Sequence, residues 1–342
     1  MSVQTIESQS ALGEYLQSHI EGFDKEFSLT KFAGGQSNPT FKLTSGEQTF
    51  VLRKQPSGKL LKSAHAVDRE FRVLEALYHS AVPVAKPYLL CTDPQVIGEM
   101  FYIMEFCEGN IFWDASLSEI TRTELRSEMY DSMNKTLAAI HSVNVFDAGL
   151  ADFGKPGNYF QRQLTRWIAQ YQASELDTIE EMHRLYRWLE HHLPEDDGKV
   201  ALVHGDYRLD NLIFKPNSAD VQAVLDWELS TLGHPLADLA YQCMQLRLPK
   251  GFGNIDGLAN LDREALGIPS EQQYVASYCQ RMNITHIDNW PFYLAFSFFR
   301  LAAIVQGVAK RATLGNASNK KAGEVGSYVR PLAQMALAII SE

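Results

Sequence analysis

Short apolar runs broken by turn residues occupy the first third of the chain, and longer stretches of helical period occupy most of the rest. Residues 27–32 and 40–43 flank Ala33-Gly34-Gly35-Gln36-Ser37-Asn38, which predicts two strands joined by a glycine turn. The next run, residues 49–54, alternates: Val51 and Arg53 share one face, and Phe50, Leu52 and Lys54 share the other. Val67, Phe71, Leu74, Leu77 and Tyr78 then recur at helical spacing. Glu70 falls inside that apolar stripe, away from Asp68, Arg69 and Arg72. A carboxylate on a buried face is costly unless it is paired. The neighbouring strand is therefore expected to supply a cation, Arg53 or Lys54.

Residues 85–90 form one further apolar run, and residues 99–109 form another that ends in a polar stretch with a glycine. This predicts a small sheet with one helix over the first third. Amphipathic periods at 121–143, 159–173 and 178–192 predict helices. Three brief apolar runs follow, at 200–203, 212–214 and 221–225, with the turn signal Pro216-Asn217-Ser218 before the last. Between the first two lies His204-Gly205-Asp206-Tyr207-Arg208-Leu209-Asp210-Asn211, and the third runs into Asp226-Trp227-Glu228. Phosphoryl transfer from ATP needs a group that orients the acceptor hydroxyl and oxygen ligands for magnesium. Asp206, Asn211 and Asp226 offer such a set in order. A capping aspartate in a plain turn would explain His204-Gly205-Asp206 alone, but not the ordered three.

The pattern H-x-D-x-x-x-x-N followed by D-W-E resembles the aminoglycoside phosphotransferase branch of the protein-kinase-like fold, which also contains choline and homoserine kinases. The resemblance implies an α+β, bilobal protein-kinase-like fold. An N-terminal nucleotide-binding lobe with an antiparallel sheet would span 1–106, and a larger, mainly helical catalytic and substrate-binding lobe 107–342. It implies ATP and Mg2+ as cofactors. Asp206 would be the catalytic base, Asn211 and Asp226 the magnesium ligands, His204 a brace of the loop, and Arg208 a cation near the transferring phosphate. Arg53 stands where kinases carry a lysine, with Glu70 as its helix partner. Ser37 and the amides around it would cradle phosphate, Glu105 to Cys107 would form the hinge that meets adenine, and Asp238 would brace the catalytic loop. The long segment between hinge and loop, and the lack of A-P-E, imply a small-molecule hydroxyl as acceptor. Leu52-Arg53-Lys54-Gln55-Pro56-Ser57-Gly58 and Phe299-Arg300-Leu301-Ala302-Ala303-Ile304-Val305-Gln306-Gly307 also resemble a kinase-like domain found ahead of acyl-CoA dehydrogenases. That narrower likeness implies a hydroxyacyl-CoA, or a similar anionic CoA thioester, as acceptor. An antibiotic phosphotransferase and a non-catalytic pseudokinase are the alternatives; retention of all three site residues disfavours the second.

Composition restricts the picture further. A chain of 342 residues with 45% hydrophobic content can build one large core or two unequal lobes. A formal charge of −10 argues against a nucleic-acid partner. Cys91, Cys107, Cys243 and Cys279 lack the spacing of a zinc site or a disulfide framework, so a reducing cytoplasm is expected. The first ten residues are polar, and no leader segment is expected. Residues 292–309 are apolar but carry Arg300 near the middle, which predicts a buried helix and no membrane span. Basic residues gather from Arg300 to Arg330, and on a helix Arg300 and Arg311 share a face. They are the candidate anion-binding wall.

Overall fold

The computed structural model describes residues 9–32, 38–58, 65–252, 257–313 and 325–341. The chain divides into two compact units, the first made of residues 1–111, 146–150 and 211–230 and the second of 112–145, 151–210 and 231–342.

The first unit begins with α1 (Gln9–His19), which the polar N-terminal sequence concealed. Only Leu12, Gly13 and Leu16 of this helix are buried, too few for a periodic signal. Five strands follow: β1 (Phe27–Lys31), β2 (Thr40–Ser45), β3 (Gln48–Lys54), β4 (Pro87–Cys91) and β5 (Phe101–Glu105). They form one antiparallel sheet in the order β1-β2-β3-β5-β4. Alternation along β3 decides what each face does. Phe50 and Leu52 join Leu12, Leu16, Phe41, Leu43, Phe101 and Ile103 in a dry core on one side. Arg53 stands on the other side, directly across from Tyr102 of β5. Tyr102 meets Phe71 of α2 (Val67–Leu77), with ring centroids 5.8 Å apart. The short α3 (Pro94–Ile97) completes the sheet end; Asp93 caps it by accepting from the Gln95 amide.

A hairpin of β7 (Leu212–Phe214) and β8 (Val221–Val224) belongs to this unit. The backbones of Asn110 and Phe214 exchange two hydrogen bonds of 2.9 Å. Gly109 permits that approach, since a Cβ at this position would lie 2.4 Å from the Phe214 carbonyl oxygen.

The second unit is mainly helical: α4 (Thr123–His141), α5 (Tyr159–Ser174), α6 (Glu180–His191), α7 (Leu236–Arg247), α8 (Arg263–Leu266), α9 (Glu271–Arg281), α10 (Trp290–Thr313) and α11 (Val329–Ile339). A two-stranded antiparallel ribbon pairs β6 (Ala201–Val203) with β9 (Thr231–Gly233). Helix α10 is long and apolar enough to cross a membrane, yet most of its apolar side chains are inside this unit. Phe292, Leu294, Phe298, Phe299 and Ala302 are at most 1% exposed, so α10 is the core helix about which its neighbours pack.

Candidate active site

In the first unit, two of the expected site residues, Glu70 and Asp226, meet at Arg53. Its Nε lies 2.8 Å from Glu70 Oε2, and its Nη2 donates to Glu70 Oε1 at 3.0 Å and to Asp226 Oδ1 at 2.5 Å. Glu70, 1% exposed, also accepts from the Tyr102 hydroxyl at 3.0 Å and from Asn38 Nδ2 at 3.1 Å. Burial pushes the Glu70 carboxyl up, and the Arg53 guanidinium beside it pulls it back. Arg53 is itself held firmly protonated, because the charges of Glu70 and Asp226 outweigh its desolvation. Lys54 points to the opposite face and pairs with Glu99 at 2.7 Å. Adjacent residues of a strand cannot share one partner, and the pleat sorts the two cations.

Asp226 follows β8 in the left-handed region, φ 63°, a conformation that aspartate tolerates better than most residues. The single 3₁₀ turn after it is pinned by Trp227 Nε1 donating to the Val224 carbonyl at 3.1 Å. The Leu225 amide donates to the Asn211 carbonyl at 2.8 Å, which ties the segments carrying Asn211 and Asp226 together. Carboxylate oxygens of Glu70, Asp226 and Glu228 lie within 4.8 Å of one another. Hard oxygen donors at this density suit magnesium. Sequence reading had included Asp226 and left out Glu228.

Of the expected hinge residues, Glu105 is bound into the sheet. The Glu105 amide donates to the Lys86 carbonyl at 2.8 Å, and its carboxylate accepts from the Lys86 amide at 3.1 Å. Cys107 is buried, and desolvation followed by the charge of Glu105 pushes its thiol up to about 12. Ser37 lies outside the described residues. Beside the hinge, the rings of Phe32 and Phe106 are parallel within 4° at 6.5 Å, and Lys42 Nζ stands 4.7 Å from the Phe106 ring centre. No spacing in the sequence announced this pair.

In the second unit, the loop after β6 is held by buried side chains. Asp238, near the start of α7 and 1% exposed, accepts from the His204 amide at 2.6 Å and the Gly205 amide at 2.8 Å. His141 Nε2 lies 3.3 Å from the same carboxylate, and its Nδ1 meets the Tyr278 hydroxyl at 2.7 Å. Burial would raise the Asp238 carboxyl, but the His141 hydrogen bond and the loop contacts win and hold it below the usual carboxylate range. Its contribution to stability is therefore complete above the unfolded carboxylate pKa of about 3.9 and is lost as pH falls through the lower folded value. Asp238→Asn is expected to flatten the acid limb of a Tm-against-pH curve between about pH 2 and 5. It should also lower stability by about 1–3 kcal/mol at neutral pH, since an amide group cannot accept from both loop amides as a carboxylate does. An acid limb with wild-type slope would exclude this role.

His204 is fully buried and accepts from the Asp206 amide through Nδ1 at 3.2 Å, so it braces the loop. Arg208 is bound between two carboxylates, Nε to Asp206 at 3.2 Å and Nη2 to Asp210 at 3.1 Å. Tyr241 of α7, which the sequence did not single out, is buried, and burial followed by the charge of Asp206 pushes its hydroxyl well above its ordinary range. Arg300 donates to the Gly205 carbonyl at 2.7 Å, with its guanidinium 5.3 Å from the Tyr241 ring and 5.8 Å from the Trp167 ring. Arg311 is exposed in the last turn of α10. Eleven residues of helix separate the two arginines by about 16 Å along the axis. They share a face but not one small anion.

Comparison with known proteins places these features in a family. Residues 28–266 match the model of the phosphotransferase enzyme family. The chain is 47% identical over 332 residues to mouse acyl-CoA dehydrogenase family member 10, covering 96% of this chain and 31% of that protein. It is 42% identical over 334 residues to human acyl-CoA dehydrogenase family member 11, covering 96% of this chain and 42% of that protein. It thus spans well under half of these relatives. A solved structure from Ralstonia eutropha, provisionally assigned as an aminoglycoside phosphotransferase, superposes with a TM-score of 0.88 at 47% identity, covering 97% of each chain. Choline kinase from Cryptosporidium parvum superposes with a TM-score of 0.65 at 12% identity, covering 96% of this chain and 94% of that one, which is a likeness of fold. With an antiparallel sheet unit, a helical unit and this match, the chain belongs to the phosphotransferase enzyme family and has the protein-kinase-like fold.

Proposed function

We propose that the protein transfers the γ-phosphoryl group of ATP, in the presence of magnesium, to a hydroxyl of a small anionic molecule such as a hydroxyacyl-CoA. The observation that carries the ATP half is Arg53 shared between Glu70 and Asp226, an ion pair from strand to helix extended to a candidate metal ligand. Asp226 and Asn211 would hold magnesium, with Glu228 near enough to assist. The ion, when bound, neutralises charge on the phosphates. Asp206 orients the acceptor hydroxyl and takes its proton, while Asp238 and His204 fix the loop that carries it.

The acceptor half rests on the acyl-CoA dehydrogenase relatives. A second reading, transfer to an aminoglycoside, is favoured by the Ralstonia structure. Incubation with ATP, magnesium and a panel of hydroxylated metabolites, including 3-hydroxyacyl-CoA thioesters and hygromycin B, followed by mass spectrometry, tests both. A phosphorylated CoA thioester is expected. Preferential modification of the cationic antibiotic would reject the anionic acceptor, and no product or ADP from any acceptor would reject the kinase.

A further inference from the structure

Helix α9 uses two of its sides. Tyr274 and Tyr278 are buried toward α4, where the Tyr278 hydroxyl meets His141 Nδ1 at 2.7 Å and the Tyr274 carbonyl accepts from Asn134 Nδ2 at 2.8 Å. Val275 and Cys279 each stand one position further along, about 100° around the helix, and border a cavity of about 1130 Å³. The cavity lies within the second unit, bounded by the end of α7, by α8 and α9, by residues 284–287 and the first half of α10, and by α11. It is roomy for a small-molecule site, usually about 300–1,000 Å³. None of Asp206, Asn211 or Asp226 lines it, so what it holds is independent of the phosphoryl-transfer reading.

Much of the wall is apolar, built from Val275, Ile284, Ile287, Phe298, Met335 and Ile339. Its charged part is unevenly satisfied. The Glu271 carboxylate is engaged three times, by Arg247 Nε at 2.6 Å, by Arg247 Nη2 at 3.1 Å and by Trp290 Nε1 at 2.9 Å. Arg263, which lines the same cavity, has no such partner: its Nη1 is shut off from solvent with no acceptor among the described residues, and no described carboxylate pairs with its guanidinium. A guanidinium that has lost water without gaining an acceptor is destabilising, and an anion beside it offsets that loss. A carboxylate matches the planar fork with two parallel hydrogen bonds, and the apolar wall suits an alkyl chain. We propose that this cavity binds a medium-chain carboxylate, with its head on Arg263 and its chain against α9, α10 and α11.

Titration calorimetry with sodium decanoate, kept below its micellar concentration, is expected to show one saturable site. Affinity should rise by about 4-fold per methylene from hexanoate to decanoate as the chain is buried. Arg263→Gln should weaken decanoate by about 10- to 100-fold, the range of a charge-assisted hydrogen bond. Ala338→Trp reads the same site without touching Arg263: it adds bulk at an exposed position of α11 on the cavity wall and should abolish binding. Decylammonium, with the same chain and the opposite charge, should not bind. No saturable binding, an affinity unmoved by Arg263→Gln or by Ala338→Trp, or decylammonium binding as tightly as decanoate would overturn the proposal. Tighter binding of decyl phosphate would overturn the carboxylate head. A dimer that Ala338→Trp disrupts, in protein that does not take up decanoate, would give the cavity to a second copy of the chain and overturn the proposal as well.

Discussion

Asp206→Asn is expected to lower phosphoryl transfer by roughly 10²- to 10⁴-fold, the range that a positioned general base contributes. Affinity for Mg-ATP should stay within about 3-fold, a change of under 1 kcal/mol. The replacement is nearly isosteric and leaves the His204 and Gly205 amides on Asp238, so the loop keeps its place while the proton acceptor is lost. Single-turnover transfer and calorimetric titration of Mg-ATP, run on the same preparation, separate the two effects. Parallel losses of binding and turnover would point to a collapsed loop, and unchanged transfer would remove Asp206 from the chemistry.

Asp226→Ala acts on the other half of the reaction and should weaken the dependence of ATP binding on magnesium. Removing a direct ligand should weaken the ion by at least the roughly 10- to 100-fold that loss of an outer partner costs. The substitution also takes one of two carboxylates from Arg53, whose pairing with Glu70 remains. The sheet and α2 should therefore stay assembled. Calorimetry with magnesium and with EDTA gives the answer directly: in the variant the gap between the two isotherms should narrow. A gap of wild-type size would rule out Asp226 as a ligand.

Much of this arrangement is written in short-range pattern. The alternation of β3 puts Arg53 and Lys54 on opposite faces without saying which face meets α2, and a carboxylate in an apolar helical stripe announces that Glu70 has a buried partner. The loop motif is legible because polar residues there interrupt two apolar strands. Three other features lack a local signature. Helix α1 buries so little that its apolar period is too sparse to register. Tyr241 lies in α7, where residues 236–246 are all buried, so nothing in the pattern distinguishes it from core. Arg300 was expected to face an anion because small residues neighbour it. In the structure it serves a backbone carbonyl and two aromatic rings, a choice made by loops far away in sequence.

The His204 and Gly205 amides depend on Asp238, a side chain of α7, for their hydrogen bonds. In native-state hydrogen exchange, neither amide can open by fraying of a strand edge. Each must wait until α7 leaves the loop, so the two should exchange together, at the rate of the helix core around them. The chemistry-bearing loop is thus expected to belong to the slowest-exchanging cooperative unit of the molecule, where ordinary surface loops belong to the fastest.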